Sequence, residues 1–120
     1  MVAQPVVLIV EDDFLIRMLA VDIAEDAGLS VLQAADADEA IEILQKHSDI
    51  RVVFTDIDMP GSMDGLKLAH AIRNRWPPIQ VVLTSGKMRP AAAELPERSR
   101  FIPKPYNTHL LCGLLRELTT

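Results

Sequence analysis

Four short apolar runs of this 120-residue sequence each lead directly into side chains that can do chemistry. In chain order these are an acidic triplet, a single aspartate, a hydroxyl and an ammonium: Glu11, Asp12, Asp13, Asp56, Ser85 and Lys104. Because the runs read as buried strands, the groups that follow them should gather at one edge of a parallel sheet. Carboxylates packed together repel one another and need a cation. An all-oxygen acidic cluster suits Mg²⁺, or Mn²⁺ with similar ligand preferences.

With a divalent cation in place, one carboxylate of such a cluster can act as a nucleophile toward phosphorus. Asp56 ends an apolar run, and we predict that it is the reacting group. Lys104 and the metal would offset charge on the phosphoryl oxygens, and the Ser85 hydroxyl would donate a hydrogen bond to one of them. Taken singly, the acids read as helix caps or turn formers, the serine as a loop residue and the lysine as a surface residue. Their joint placement after matching runs favours one shared site.

Apolar runs of strand length alternate with amphipathic stretches of helical length along the chain. Strands are predicted at 6–10, 30–35, 51–55, 79–84 and 101–103. Helices are predicted at 14–28, 38–47, 65–76 and 107–118, with the N-caps Asp12 or Asp13, Asp36 or Asp38, Asp64, and Asn107 or Thr108. Apolar strands that alternate with helices are typical of parallel sheets with right-handed crossovers, so we predict a doubly wound α/β fold.

The stretch between the last two predicted strands, residues 86–100, departs from this alternation. Pro90 and Pro96 leave room for about one to two helical turns between them. We therefore predict that the fourth helix is short or irregular.

The composition indicates one globular domain, which we take as residues 1–120. Hydrophobic residues make up 49% of the chain, enough to bury a core. The net charge of −5 argues against a nucleic-acid-binding face. Cys112 is the single cysteine, so an internal disulfide is excluded. With no signal-peptide pattern and no apolar stretch long enough to cross a membrane, we expect a cytoplasmic location and no membrane contact.

Four segments, read together, resemble the receiver domains of two-component response regulators. They are VVLIVEDDFLIR, VVFTDIDMPGSMDGLKLA, VVLTSG and FIPKPY, and they occur in the order found in that family. The similarity runs from Val6 to Leu118. It implies a (βα)5 flavodoxin-like sandwich whose five-stranded parallel sheet has the strand order 2-1-3-4-5.

The resemblance also implies roles in acceptor chemistry and metal binding. Asp56 matches the phosphoacceptor and is a ligand of Mg²⁺ in that family. Asp12 is expected to bind the ion directly, and Glu11 to act largely through water. The backbone carbonyl of Asp58 matches a further metal ligand.

A second set of matched residues belongs to the family's phosphoryl-responsive switch. Ser85 matches the hydroxyl that turns toward the phosphoryl group, and Lys104 matches the lysine that pairs with it. Phe101 matches the aromatic switch position, where it lacks the hydroxyl of the commoner tyrosine and would act by packing alone. Pro105 would follow a cis peptide bond.

The switch hydroxyl is a choice between Thr84 and Ser85. We prefer Ser85, because the small Gly86 after it would admit the phosphoryl group. Strand alternation should then point Thr84 away from the site. A further departure from the common pattern is Ser62, which makes the loop PGSMDG one residue longer.

Asp58 and Lys87 lie two residues beyond the phosphoacceptor and the switch hydroxyl, respectively. We predict that this pair flanks the approach to the phosphoryl group and tunes its lifetime.

The expected function is a phosphorylation-operated switch, which is not an enzyme beyond its own phosphorylation and dephosphorylation. A histidine kinase or phosphotransfer protein would supply the phosphoryl group, and an unknown downstream protein would read the face around the last two strands and the last helix. Because no output domain follows Thr120, we expect a stand-alone regulator, monomeric or weakly dimeric. Two alternatives are a haloacid dehalogenase-type phosphatase, whose D-x-D motif the DID at 56–58 fits, and a pseudo-receiver that binds partners without phosphorylation.

Overall fold

The computed structural model describes residues 4–120, and their five strands form one parallel sheet. The strands are β1 (Val6–Val10), β2 (Ser30–Ala34), β3 (Ile50–Asp56), β4 (Gln80–Ser85) and β5 (Ser99–Pro103). Their order in the sheet is β2-β1-β3-β4-β5, which confirms the predicted topology. The order brings the carboxyl ends of β1, β3, β4 and β5 side by side, where the reactive residues of the sequence follow.

Four helices connect or follow the strands: α1 (Phe14–Asp26), α2 (Ala37–Lys46), α3 (Gly65–Arg75) and α4 (Thr108–Leu118). Each begins after a polar cap whose side chain accepts a hydrogen bond from the first turn, and the caps are Asp13, Asp36, Asp64 and Asn107. Asp12 is therefore free of a capping role. Within residues 4–120, every helix is too short or too polar to cross a lipid bilayer.

The sheet separates two apolar layers. Strand alternation sends Leu8 to one face, where it packs with α2 and α3, and Val7 and Ile9 to the other, where they pack with α1 and α4. Because both faces are covered, the central strands consist of continuous apolar runs. The polar side chains that follow these strands lie beyond the two apolar layers, at the carboxyl ends of the strands.

The fourth connection is shortened, as predicted. One 3₁₀ turn, Ala92–Glu94, replaces a full helix, and β5 begins two residues earlier than the sequence pattern indicated. The segment is fixed to α3, since the His70 ring is hydrogen-bonded to the Glu94 carbonyl at 2.8 Å and Arg73 forms an ion pair with Glu97 at 2.7 Å. The connection between β4 and β5 is thus held against the fold despite its lack of a helix.

Candidate functional site

Three carboxylates meet where β1 and β3 end. Oxygens of Glu11, Asp12 and Asp56 all lie within 4.8 Å of one another. Glu11 and Asp56 are only 5% and 6% exposed, whereas Asp12 is open to solvent. The structure therefore brings together the three acidic residues that the sequence singled out, two of them shielded from water and one facing it.

Lys104 reaches this cluster from the end of β5. Its Nζ donates to Glu11 Oε1 and to Asp56 Oδ2, each at 2.9 Å. Its backbone N–H donates to the Ser85 carbonyl at 3.0 Å, and the Lys104–Pro105 peptide bond is cis. Four strands thus contribute to one site, because β4 supports the lysine that β5 sends toward the ends of β1 and β3.

The two ionisable partners at the centre of the site have altered pKa values. Burial raises the pKa of Glu11 above its ordinary value of 4.5, and the hydrogen bond from Lys104 offsets this only in part. Burial alone would lower the pKa of Lys104, but the hydrogen bonds and charges of Glu11 and Asp56 outweigh it, so the lysine pKa is raised. The charged form of Lys104 is therefore stabilised by its surroundings, whereas ionisation of Glu11 costs free energy.

The loop after β3 holds the Asp56 carboxylate from the other side. The backbone N–H of Asp58 donates to Asp56 Oδ1 at 3.0 Å. Gly65, the first residue of α3, lies so close that an added Cβ would collide with the Asp56 carbonyl oxygen. The extra loop residue Ser62 donates to Asp38 Oδ1 at 2.7 Å, which ties the lengthened loop to α2.

The Ser85 hydroxyl is fully engaged in hydrogen bonds. It donates its only proton to Asp58 Oδ2 at 2.5 Å, and its oxygen accepts from the backbone N–H groups of Lys87 and Met88, both at 3.1 Å. The sequence indicated Asp58 as a neighbour of the site but not as a partner of Ser85. This contact depends on the fold of two loops that are distant in sequence.

The prediction that Thr84 points away from the site is wrong. Thr84 is the register partner of Asp56 in the β3–β4 ladder, and partners in a parallel ladder share a face of the sheet. It lines a cavity of about 10 Å³ together with Glu11, Asp56 and Tyr106. Its buried hydroxyl has no hydrogen-bond partner among the residues that the structure describes. Ser85 instead leaves β4 on the opposite face and turns into the loop at the strand end.

Arg17 supports the site, although no motif in the sequence indicates this role. From α1 its Nη1 donates to the backbone carbonyl of Glu11 at 2.6 Å, which fixes the turn between β1 and α1. The backbone N–H of Asp13 donates to Glu11 Oε2 at 3.2 Å and orients the carboxylate within the same turn. The position of Arg17 could have indicated this contact, because a long side chain in the first turns of a helix points back toward the residues before it.

Phe101 and Lys87 lie beside the acidic cluster rather than in it. Phe101 is half-buried in β5, where it packs against the apolar layer under α2 and α3 and lines a groove of about 540 Å³ between β5 and α4. Lys87 is exposed in the loop after β4. Neither side chain is hydrogen-bonded to the three carboxylates within residues 4–120.

The donor set fits a hard divalent cation. All three acidic side chains offer oxygen atoms, one of them is solvent-exposed, and Mg²⁺ prefers a few carboxylates while keeping several waters. A single ammonium cannot neutralise three carboxylates, so the site has a residual negative charge that a divalent ion would compensate. The chemistry of the ligands thus agrees with the predicted magnesium or manganese site.

Known proteins are similar to this chain in sequence and in fold. A family model described as "Response regulator receiver domain" matches residues 7–116. The chain is 34% identical over 116 residues to the sensor kinase CckA of Brucella abortus, and 37% identical over 110 residues to the nitrogen assimilation regulatory protein NtrX of Azorhizobium caulinodans. These two alignments cover 93% and 88% of this chain.

A solved structure gives the same result. The receiver domain of NtrX from Brucella abortus matches with a TM-score of 0.84 at 32% identity, over 94% of this chain and 97% of that one. By contrast, this chain spans only 12% of the CckA sequence and 24% of the NtrX sequence. The similarity therefore concerns one domain of those longer proteins and does not transfer their other activities.

The raised pKa of Glu11 predicts a specific pH dependence. The folded protein holds the Glu11 proton more tightly than the unfolded chain, so this contribution to stability is present below pH 4.5 and is lost as the pH rises through the raised value. We expect Glu11→Gln to remove that loss and to stabilise the metal-free protein at pH 7 by about 1 kcal/mol. Urea unfolding in EDTA at a series of pH values measures it.

The matched control is Glu42→Gln, which neutralises an exposed carboxylate on α2. Its free energy of unfolding should follow that of the unaltered protein at every pH. A Glu11→Gln protein that is less stable than the unaltered protein at pH 7 would contradict the assigned cost of the Glu11 charge.

Proposed function

The chain belongs to the response regulator receiver domain family, and we propose that it is a phosphorylation-dependent signalling switch of a two-component or phosphorelay system. The phosphoryl group is accepted on Asp56. The observation that carries this proposal is the contact of one buried aspartate with both a lysine ammonium and a cluster of carboxylates at a strand end.

The chemistry is a transfer from nitrogen to oxygen. A carboxylate oxygen of Asp56 forms a bond to the phosphorus of a phosphohistidine, the donor's P–N bond breaks, and its electron pair stays on the imidazole nitrogen. Lys104 already donates to Asp56 Oδ2 and is placed to bind a phosphoryl oxygen on that side. Later hydrolysis of the acyl phosphate returns phosphate and restores the carboxylate, so the protein turns over only its own modification.

Glu11, Asp12 and Asp56 would hold the metal ion, with the backbone carbonyl of Asp58 as a further ligand. A bound Mg²⁺ supplies charge compensation for the phosphoryl oxygens. Asp12 is suited to direct coordination because it is exposed and has no capping role. Glu11 is suited to act through water, because one of its oxygens already accepts from Lys104 and the other from the backbone of Asp13.

The donor protein is a histidine kinase or a phosphotransfer protein, and an apolar surface beside the site suits its docking. Phe14, Leu15 and Leu19 of α1 are 61%, 77% and 53% exposed. Leu19 also lines an open groove of about 400 Å³ with Lys104 and Tyr106. Large apolar side chains grouped in this way are typical of protein-binding surfaces, and this group lies next to the acceptor.

The output is a change in the face formed by β4, β5, the 3₁₀ turn and α4. The hydroxyl that donates to the phosphoryl group would be that of Thr84 rather than Ser85, because Thr84 shares the Asp56 face and its hydroxyl has no hydrogen-bond partner among residues 4–120. Phe101 would repack in response. The half-buried position of Phe101 beside an open groove leaves it room to do so.

The alternative phosphatase activity is disfavoured, since the DID motif follows β3 rather than β1 and the family model spans 110 of the 120 residues, from 7 to 116.

Phosphorylation is tested directly by mass spectrometry. We expect incubation with Mg²⁺ and a small acyl phosphate to add the mass of one phosphoryl group to the protein. The addition should be absent in Asp56→Ala, because the nucleophile is gone, and should persist in Asp22→Ala, which removes an exposed acid on α1. A protein that stays unmodified while folded and loaded with Mg²⁺ would favour the pseudo-receiver alternative.

The lifetime of the modification should depend on Asp58 and Lys87. Asp58→Ala removes a carboxylate two residues from the acceptor and its hydrogen bond with the start of the loop after β4, so we expect the dephosphorylation rate to change several-fold, about 1 kcal/mol in the barrier. Asp58→Asn keeps a neutral hydrogen-bond acceptor for Ser85, so its dephosphorylation rate should lie between those of Asp58→Ala and the unaltered protein. The rate of phosphate loss after removal of the donor measures this, with Lys87→Ala in parallel. Identical rates in all three variants and the unaltered protein would end the tuning hypothesis.

A further inference from the structure

A basic pocket opens next to the acidic site, in the irregular connection between β4 and β5. We call it the β4–β5 pocket; its volume is about 390 Å³. It is lined by the residues that follow β4 and by the end of β5, including Ser85, Lys87, Arg89, Pro103 and Lys104. Asp56 does not line it, so it borders the acceptor site without containing the acceptor.

The charge of the pocket is opposite to that of the protein. The chain has a net charge of −5, yet among residues 4–120 three cationic side chains and no carboxylate line this pocket. Lys104 is already paired with Glu11 and Asp56. In the described part of the chain, neither Lys87 nor Arg89 lies within 4.0 Å of a carboxylate oxygen. Two positive charges of the pocket are therefore uncompensated.

The backbone of the connection that bears these charges is fixed at both of its ends. The Ser85 oxygen accepts from two successive backbone N–H groups, which fixes the start of the loop. The end of the connection is fixed to α3 through His70 and Arg73. A site that is formed before the ligand arrives loses less free energy to ordering on binding.

We propose that the β4–β5 pocket binds a small dianionic phosphate compound beside Asp56. Two uncompensated cations match a dianion, and the planar guanidinium of Arg89 can pair with two phosphate oxygens while Lys87 acts as a point charge. The volume is at the lower end of the range for small-molecule sites, which suits a phosphate monoester or a diphosphate. Because Lys104 belongs to both sites, an occupied pocket would, given the proposed function, couple the concentration of such a compound to the state of the switch.

The test is a titration of the full ¹⁵N-labelled chain with diphosphate, in EDTA so that no metal ion recruits the anion to the carboxylates. We expect saturable shifts of the backbone amides of residues 86–89. The dissociation constant should rise at least tenfold in the Lys87→Ala/Arg89→Ala double variant. It should stay within twofold in Lys46→Ala/Arg51→Ala, which removes the same charges from exposed positions at the end of α2 and the start of β3, away from the carboxyl ends of the strands.

Further arms identify the ligand class and the site. Inorganic phosphate and phenyl phosphate distinguish a free ion from an ester, and sulfate reports the affinity for any dianion. Binding should persist in Asp56→Asn, because the acceptor does not line the pocket. Sulfate that binds as tightly as every phosphate compound, an equal loss in both double variants, loss of binding in Asp56→Asn, or shifts that do not saturate would each overturn the proposal. Unchanged amide shifts elsewhere in the double variants show that they remain folded.

Discussion

The structure depends on one lysine, whose positive charge compensates the repulsion among carboxylates at the carboxyl ends of the strands. Glu11 and Asp56 are buried where the apolar layers stop, and burial of like charges is unfavourable unless a counter-charge is hydrogen-bonded to both. Lys104 provides it, at 2.9 Å from each carboxylate. The pairing connects β5 to β1 and β3, although β5 lies at the edge of the sheet and is separated from β3 by β4. The same ammonium that stabilises the resting cluster stands where a phosphoryl group would need a positive charge.

The Ser85 hydroxyl next to this cluster is likewise hydrogen-bonded to a carboxyl group. Ser85 has one proton, and Asp58 holds it. Any other group that accepts a hydrogen bond from Ser85 must therefore compete with the Asp58 side chain. If Asp56 is phosphorylated as proposed, a rearrangement of the loops after β3 and β4 would have to break this contact, which is the physical requirement for a two-state switch. The shortened connection between β4 and β5 begins at this serine, so a change there reaches the basic pocket and the loop directly.

Much of the fold and of the site follows from the sequence, because strand ends in a parallel sheet can be located from apolar runs. The acids after β1 and β3, the lysine after β5 and the irregular fourth connection all follow from this rule. The orientation of Thr84 could not be derived from alternation along β4 alone, since the register with β3 decides which face it shares with Asp56. The contacts of Arg17 with the Glu11 carbonyl and of Asp58 with Ser85 join parts of the chain whose approach depends on turn geometry, and no local pattern predicts them.

The most direct measurement of the central claim is the position of a bound divalent ion. Mn²⁺ broadens nearby amide resonances, so a titration of the metal-free ¹⁵N-labelled protein locates the ion and gives its stoichiometry. We predict one saturable site, with broadening centred on residues 11–13 and 56–58 and reversed by excess Mg²⁺. We also expect Asp12→Asn to weaken binding at least tenfold. Broadening centred elsewhere, or a titration that Asp12→Asn leaves unchanged, would contradict the central claim.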